Sequence, residues 1–185
     1  YNLSCGIKAW RGEVLADRPA LQVFEHASAP AEVLLRAMVL EKGAQRMYEE
    51  IQARLSHQEL LPVVDGLRRA ERNHARLLFD LLAEHYPGTT TEPFDALYDE
   101  AIRGDVLESG EPLEAAVARM EQFTSPDQEM FELALEMEFK AYDLYRNLAH
   151  RAEPDGLRTG LETLASQERR HARSLLSALG ELARL

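Results

Sequence analysis

The chain has 185 residues, which fits one domain or one domain with a short appendage. Its 32 acidic and 21 basic side chains give a net charge of −11, which argues against nucleic-acid or anionic-membrane partners because these would repel the chain. The single cysteine excludes a disulfide framework, a four-cysteine zinc site and a rubredoxin-type iron site within these residues, and it favours a reducing, cytoplasmic setting. The chain begins at Tyr1 rather than at Met, so we expect it to be part of a longer protein.

Four long segments carry apolar residues at steps of three and four, the period of an amphipathic helix. They cover residues 34–55, 60–85, 131–148 and 157–182. No pair of segments alternates as strands do. The sequence therefore predicts an all-α protein.

Start and stop signals flank these segments. Ser28 and Ser125 are predicted N-caps, each followed within two positions by a proline, and Gln128 is predicted to complete a capping box with Ser125. Residues 153–156, Glu-Pro-Asp-Gly, are predicted to form the turn that ends the third long helix.

The second and third long helices are separated by a crossover of about forty residues (86–124). Two short helices are predicted in it, around residues 94–102 and 113–123. A connection of this length allows the third long helix to start at the far end of the bundle, as in ferritin-like four-helix folds.

The chain repeats itself at a shift of 97 residues, which superposes one helical hairpin on the other. The superposed pairs include Glu41 with Glu138, Ala44 with Ala141, Tyr48 with Tyr145, Glu71 with Glu168, and His74 with His171.

Acidic and imidazole side chains interrupt the apolar stripes of all four long helices. Each Glu-x-x-His pair shares one helix face, and the glutamates of each hairpin are 30 residues apart, about 15 on either side of the turn. Six side chains are therefore predicted to meet in one buried layer. They are Glu41, Glu71, His74, Glu138, Glu168 and His171.

Four buried carboxylates without a counter-charge would be strongly destabilising, and two divalent cations would neutralise them. Oxygen-rich ligation with one imidazole per metal suits iron or manganese, with zinc as a further possibility. One alternative is that the Glu-x-x-His pairs are ordinary helix-surface contacts. Another is a structural bundle whose acids serve only assembly, and the destabilising effect of buried acids without a cation counts against it.

The motifs Glu-x-x-Ala-x-x-x-Tyr, beginning at Glu41 and Glu138, and Glu-x-x-His, beginning at Glu71 and Glu168, resemble the rubrerythrin-type di-iron domain of the ferritin-like superfamily. The resemblance covers about residues 28–182. It implies two iron ions per chain, which react with hydrogen peroxide or dioxygen, and an external electron donor such as rubredoxin. Some relatives have a seventh ligand, a glutamate three residues after the third-helix glutamate, and here that position is Ala141.

Residues 2–12 resemble the closing segment of a rhodanese domain. This resemblance implies that residues 1–25 are a rhodanese-like tail and linker, and that residues 26–185 form the di-iron bundle. Cys5 is then not the sulfur-carrying cysteine of such a domain, and we interpret it as a lone reduced thiol.

The remaining polar candidates receive lesser roles. Tyr48 and Tyr145 lie two turns beyond a ligand glutamate on the same face, and they are expected either to hydrogen-bond ligand carboxylates or to serve as plain core residues. Glu136 is predicted to lie on a solvated face beside Lys140. Surface positions are predicted for the other histidines and for two arginine pairs that would screen the acidic surface: His26, His57, His85, His150, Arg72, Arg76, Arg169 and Arg173.

Two functions remain open at this stage. The first is a homodimeric di-iron oxidoreductase that reduces peroxide or dioxygen. The second is an iron-handling bundle that binds or stores iron without catalytic turnover. The metal ligands are the same in both.

Overall fold

The computed structural model describes residues 29–184, and in this range the chain is all-α, as predicted. The helices are α1 (Pro30–Arg54), α2 (Leu61–His85), α3 (Leu113–Met120), α4 (Pro126–Arg151) and α5 (Asp155–Leu182), with a 3-10 turn (Gln58–Leu60) and a π-helix (Ala96–Ala101) between them. The predicted rhodanese-like tail, with Cys5, His26 and Ser28, lies outside the described residues.

The four long helices form two antiparallel hairpins, α1 with α2 and α4 with α5, and α2 packs against α5 between the hairpins. The carboxylate of Asp127, at the start of α4, accepts hydrogen bonds from the backbone N–H groups of Ser56 and His57, just after α1 ends. The start of α4 therefore lies beside the end of α1, and these two helices are antiparallel. The crossover has to travel the length of the bundle to permit this.

The helix ends differ in detail from the prediction. Ser125 is the N-cap residue of α4 but makes no side-chain cap hydrogen bond. Instead, the carboxylate of Glu129 accepts from the backbone N–H groups of Thr124 and Ser125, whereas Gln128 donates to Glu132. The predicted capping box with Gln128 is wrong because the charged side chain one position later takes the same backbone donors.

Four other boundaries are shorter or shifted. Helix α1 has Ala29 at its N-cap position. The turn between the last two helices comprises residues 152–154 instead of the predicted 153–156, because Arg151 ends α4 and Asp155 already begins α5. The two short helices of the crossover exist, but the first is mainly a π-helix at Ala96–Ala101 and the second ends at Met120.

Two apolar clusters fill the bundle, one toward each end. Met47 and Leu175 belong to one cluster, and Met38 and Leu164 belong to the other. Glu41 lies between them along α1, and so the predicted polar layer is enclosed by apolar side chains on both sides.

No helix within residues 29–184 is both long enough and apolar enough to cross a membrane.

The crossover approaches α1 closely at two glycines, Gly43 in α1 and Gly104 in the crossover. A Cβ atom added to Gly43 would lie 2.1 Å from the carbonyl oxygen of Val106, and one added to Gly104 would lie 2.8 Å from the backbone nitrogen of Gly43. The guanidinium of Arg46 donates to the carbonyl oxygens of Arg103 and Gly104 and holds the contact from the side.

We expect Gly43→Ala to lower the free energy of unfolding by about 1–3 kcal/mol, because the new methyl group forces the crossover away from α1. The matched control is Gly66→Ala, on an exposed position of α2 with nothing within 4 Å of the added Cβ. That variant should gain about 0.5–1 kcal/mol from the better helix propensity of alanine. Urea unfolding of both variants measures the difference, and equal stability would contradict the close approach.

Candidate metal centre

The structure brings the six predicted side chains together in the layer between the two apolar clusters. Five of them are at most 2% exposed, and the sixth, His171, has a side chain that is 15% exposed. Helix α1 supplies Glu41, α2 supplies Glu71 and His74, α4 supplies Glu138, and α5 supplies Glu168 and His171.

The Nδ1 atom of His74 lies among three carboxylates. It is 3.3 Å from Glu41 Oε2, 3.2 Å from Glu71 Oε2 and 2.8 Å from Glu168 Oε1. Even the shortest of these approaches lacks the angles of a hydrogen bond, since both atoms remain without a hydrogen-bond partner among the described residues. The three carboxylate oxygens and the imidazole nitrogen are therefore arranged like ligands that surround one metal ion.

The Nδ1 atom of His171 repeats this arrangement in the other half of the cluster. It lies 3.8 Å from Glu71 Oε1, 3.3 Å from Glu138 Oε2 and 3.2 Å from Glu168 Oε2. The two imidazole rings are stacked with centroids 5.0 Å apart. Glu71 and Glu168 therefore approach both imidazoles, whereas Glu41 approaches only His74 and Glu138 only His171.

Buried polar atoms without partners show that this cluster fits a cation. Across residues 29–184, one oxygen of each of the four glutamates and both ring nitrogens of His74 are buried and make no hydrogen bond: Glu41 Oε2, Glu71 Oε1, Glu138 Oε2, Glu168 Oε1, His74 Nδ1 and His74 Nε2. Such atoms are costly to bury unpaired, and carboxylate oxygens with imidazole nitrogens are a donor set for iron, manganese or zinc.

Two tyrosines fix the outer glutamates of the cluster. The Tyr48 hydroxyl donates to Glu138 Oε1, and the Tyr145 hydroxyl donates to Glu41 Oε1. Each hydrogen bond joins the two hairpins and leaves the second carboxylate oxygen, Oε2, facing the imidazole. Burial, followed by the charges of the carboxylates, raises the pKa of both phenols, so both remain protonated donors.

The pKa shifts of Glu71, Glu138 and Glu168 differ in direction. Burial and the charge of Glu168 raise the pKa of Glu71, and the same two causes raise the pKa of Glu138 to about 7. Burial would also raise the pKa of Glu168, but the charge of His74 and contacts to both imidazoles lower it. Burial opposes protonation of His171, but its contacts to Glu138 and Glu168 prevail and raise its pKa to about 9.

Several candidates outside the cluster are placed as surface groups. Glu136 is exposed and accepts a hydrogen bond from Lys140, as predicted. Arg72 pairs with Asp95 and Asp99. Arg76, which pairs with Asp80, is exposed, as are His150 and Arg173. Arg169 differs from this prediction, because it is half-buried and its Nε atom is buried.

Two histidines have more specific surroundings than the sequence indicates. His57, whose side chain is 40% exposed, contacts the Asp127 carboxylate through its ring nitrogen. The prediction that His85 is a surface residue is wrong. Its side chain is only 12% exposed because the ring packs over Gly156, where an added Cβ would lie 3.0 Å from the ring.

One buried acid near the cluster escaped the sequence analysis. Glu108, in the crossover, is 1% exposed, and its Oε2 has no hydrogen-bond partner among the described residues. Helical periodicity could not reveal it, because residues 102–112 are not helical.

We expect removal of metal to destabilise the protein more as the pH rises from 5 to 8. The raised pKa values of Glu138 and His171 stabilise the apo fold while these groups are protonated. For Glu138, that stabilisation is lost as the pH rises from the ordinary pKa of 4.5 through the raised pKa of about 7. For His171, it is lost between the ordinary pKa of 6.5 and the raised pKa of about 9. Metal binding has the opposite dependence because its ligands must be deprotonated, and it stabilises by about 2.7 kcal/mol at 100 times the Kd. Melting temperatures of chelator-treated and metal-loaded protein measure the gap, and equal values at pH 8 would contradict a shared buried site.

Comparison with known proteins adds a family match and a fold match. Residues 129–184, which include Glu138, Glu168 and His171, match the rubrerythrin family model. A hypothetical protein from Pyrococcus furiosus has a similar structure, with a TM-score of 0.62 and 21% identity over 88% of this chain and 96% of that chain. No curated protein matches the chain at a significant level. At this identity the structural match shows the shared fold, and the family match over the second hairpin supports a ferritin-like di-iron domain.

Proposed function

We propose that the chain is a non-haem di-iron oxidoreductase of the rubrerythrin type, which reduces hydrogen peroxide or dioxygen with electrons from an external donor. The observation that supports this most directly is the division of the cluster into two halves that share two carboxylates. Glu71 and Glu168 each approach both imidazoles, at 2.8–3.8 Å. Carboxylates shared between two imidazoles suit a pair of bridged ions.

The charges agree with two ions. Four carboxylates and two neutral imidazoles carry a charge of −4, which two divalent cations balance. The donors are oxygen and nitrogen without sulfur, which suits iron, and manganese or zinc as substitutes. The six ligands in this proposal are Glu41, Glu71, His74, Glu138, Glu168 and His171.

Reduction of one hydrogen peroxide to two waters takes two electrons and two protons, and two ferrous ions bound here would supply the two electrons. The protein's part is to hold the ligands and to exclude bulk water. Tyr48 and Tyr145 keep the Oε1 atoms of Glu138 and Glu41 engaged, so each of these carboxylates offers one oxygen inward. The apolar clusters on either side limit access to small molecules.

The electrons for further cycles have to come from outside these 185 residues in this proposal. The 185 residues contain one cysteine, so they hold no cysteine pair for a rubredoxin iron. We propose a small iron–sulfur carrier such as rubredoxin as the donor, a homodimer as the assembly, and the cytoplasm as the location.

We expect the anaerobically reduced, iron-loaded protein to consume about one equivalent of peroxide per di-iron site and then stop, because two ferrous ions hold two electrons. Addition of an electron carrier and its reductase should restart consumption. Glu138→Ala should abolish the first turnover. The matched control Glu136→Ala, on an exposed position two residues away that pairs only with surface Lys140, should leave it unchanged.

Stopped-flow loss of peroxide against iron concentration makes this measurement. If peroxide oxidises the bound ferrous ions no faster than free ferrous ion, the redox proposal fails and iron handling replaces it. A sizing column would then be informative, because storage favours a closed multi-subunit cage and the enzyme favours a dimer.

A further inference from the structure

Glu108 occupies an unusual position for a buried acid, the tip of a tight turn. The turn is closed by a hydrogen bond of 2.8 Å from the backbone N–H of Gly110 to the carbonyl of Leu107. Its two arms are joined by hydrogen bonds of 2.9 Å from Leu107 to Glu111 and from Leu113 to Asp105. Side chains at turn tips ordinarily face solvent, yet Glu108 is 1% exposed.

Leu107 and Glu108 of this turn are buried because the crossover docks against α1 within one helical turn of Glu41. Gly43 allows the Val106 carbonyl to approach, and the side chain of Leu107, 3% exposed, enters the apolar cluster that contains Ala44. Gly43 and Ala44 follow Glu41 by two and three residues. The docking therefore buries Glu108 against the stretch of α1 that holds Glu41.

The carboxyl of Glu108 has one buried oxygen without a partner in the described part of the chain. Its Oε2 is buried without a hydrogen bond, which is destabilising for a polar atom and more so for a charged one. Burial and then the charge of Glu41 raise the pKa of Glu108, followed by the charges of Glu168 and Glu138, although a hydrogen bond from its own backbone N–H lowers it; these charges agree with the docking of the crossover beside α1. A cation in the centre would favour its ionised form.

We infer that Glu108 is a fifth carboxylate of the metal centre, and that it supplies a ligand oxygen from the crossover on the side of Glu41. This inference rests on the proposed di-metal site. The repeat cannot supply an equivalent group for the other half, because the chain has a single crossover between its two hairpins. The two metal positions are then unequal in their ligands.

A fifth carboxylate also changes the total charge of the two metal ions that would make the centre neutral. Five ionised carboxylates carry −5, which one divalent and one trivalent ion balance, whereas four balance two divalent ions. Oxidation of both ferrous ions would raise their total charge from +4 to +6, and Glu108 would offset one of the two added charges.

The test compares Glu108→Gln with the wild-type chain and with Asp143→Asn. Asp143 is a matched control: it is 7% exposed, its Oδ1 has no hydrogen-bond partner among the described residues, and burial raises its pKa to about 6. Calorimetric titration with cobalt(II) measures how many ions bind and how tightly. We expect two ions per wild-type chain, a loss of about 10- to 100-fold in affinity for one of them in Glu108→Gln, and no change in Asp143→Asn.

The visible spectrum of the cobalt-loaded protein gives a second measurement, because it reports the number and kind of ligands. If Glu108→Gln does not fold, Glu108→Asp keeps the charge but withdraws the oxygen by one methylene, and it should change the spectrum. Wild-type affinity and spectrum in the folded variant would overturn the inference while the di-metal site stands. A wild-type chain that binds no cobalt would instead overturn the proposed site itself.

Discussion

Repulsion among buried carboxylates is the constraint on which the rest of this structure depends. Four of them share a layer with apolar clusters on both sides, so water cannot screen their charges. Without a cation, the fold is stable only when some of these groups bind protons. The raised pKa values of Glu71, Glu138 and His171 indicate which groups do so. Folding and metal binding are therefore linked, because the ion replaces the protons that the apo fold requires.

The internal repeat explains how two hairpins build one site. Tyr48 of the first hairpin binds Glu138 of the second, and Tyr145 of the second binds Glu41 of the first. These reciprocal bonds need α1 and α4 to be antiparallel, and antiparallel helices in this order need a crossover that spans the bundle. The connection that makes the symmetric site possible is thus the element that brings the asymmetric Glu108 to it.

Helical periodicity explains how far the sequence could predict this arrangement. A residue's face follows from its position in a regular helix, so the six-residue cluster and the four long helices could be found from spacing alone. The partners of the tyrosines could not, because they depend on how α1 and α4 pair. The choice of Glu129 over Gln128 at the start of α4 is a competition between neighbouring side chains for the same donors. Glu108 lies in a segment without helical periodicity, so the sequence does not indicate whether its side chain faces the core or the solvent.

The two halves of the centre also differ in their access to solvent. The side chain of His171 is 15% exposed, whereas that of His74 is 1% exposed. The crossover covers α1 next to Glu41, and Glu41 is the carboxylate whose charge acts most strongly on Glu108. The imidazole of one half therefore lies nearer to solvent than the imidazole of the other half. Two hairpins with a shared pattern of ligands in this way enclose a site whose halves differ in burial.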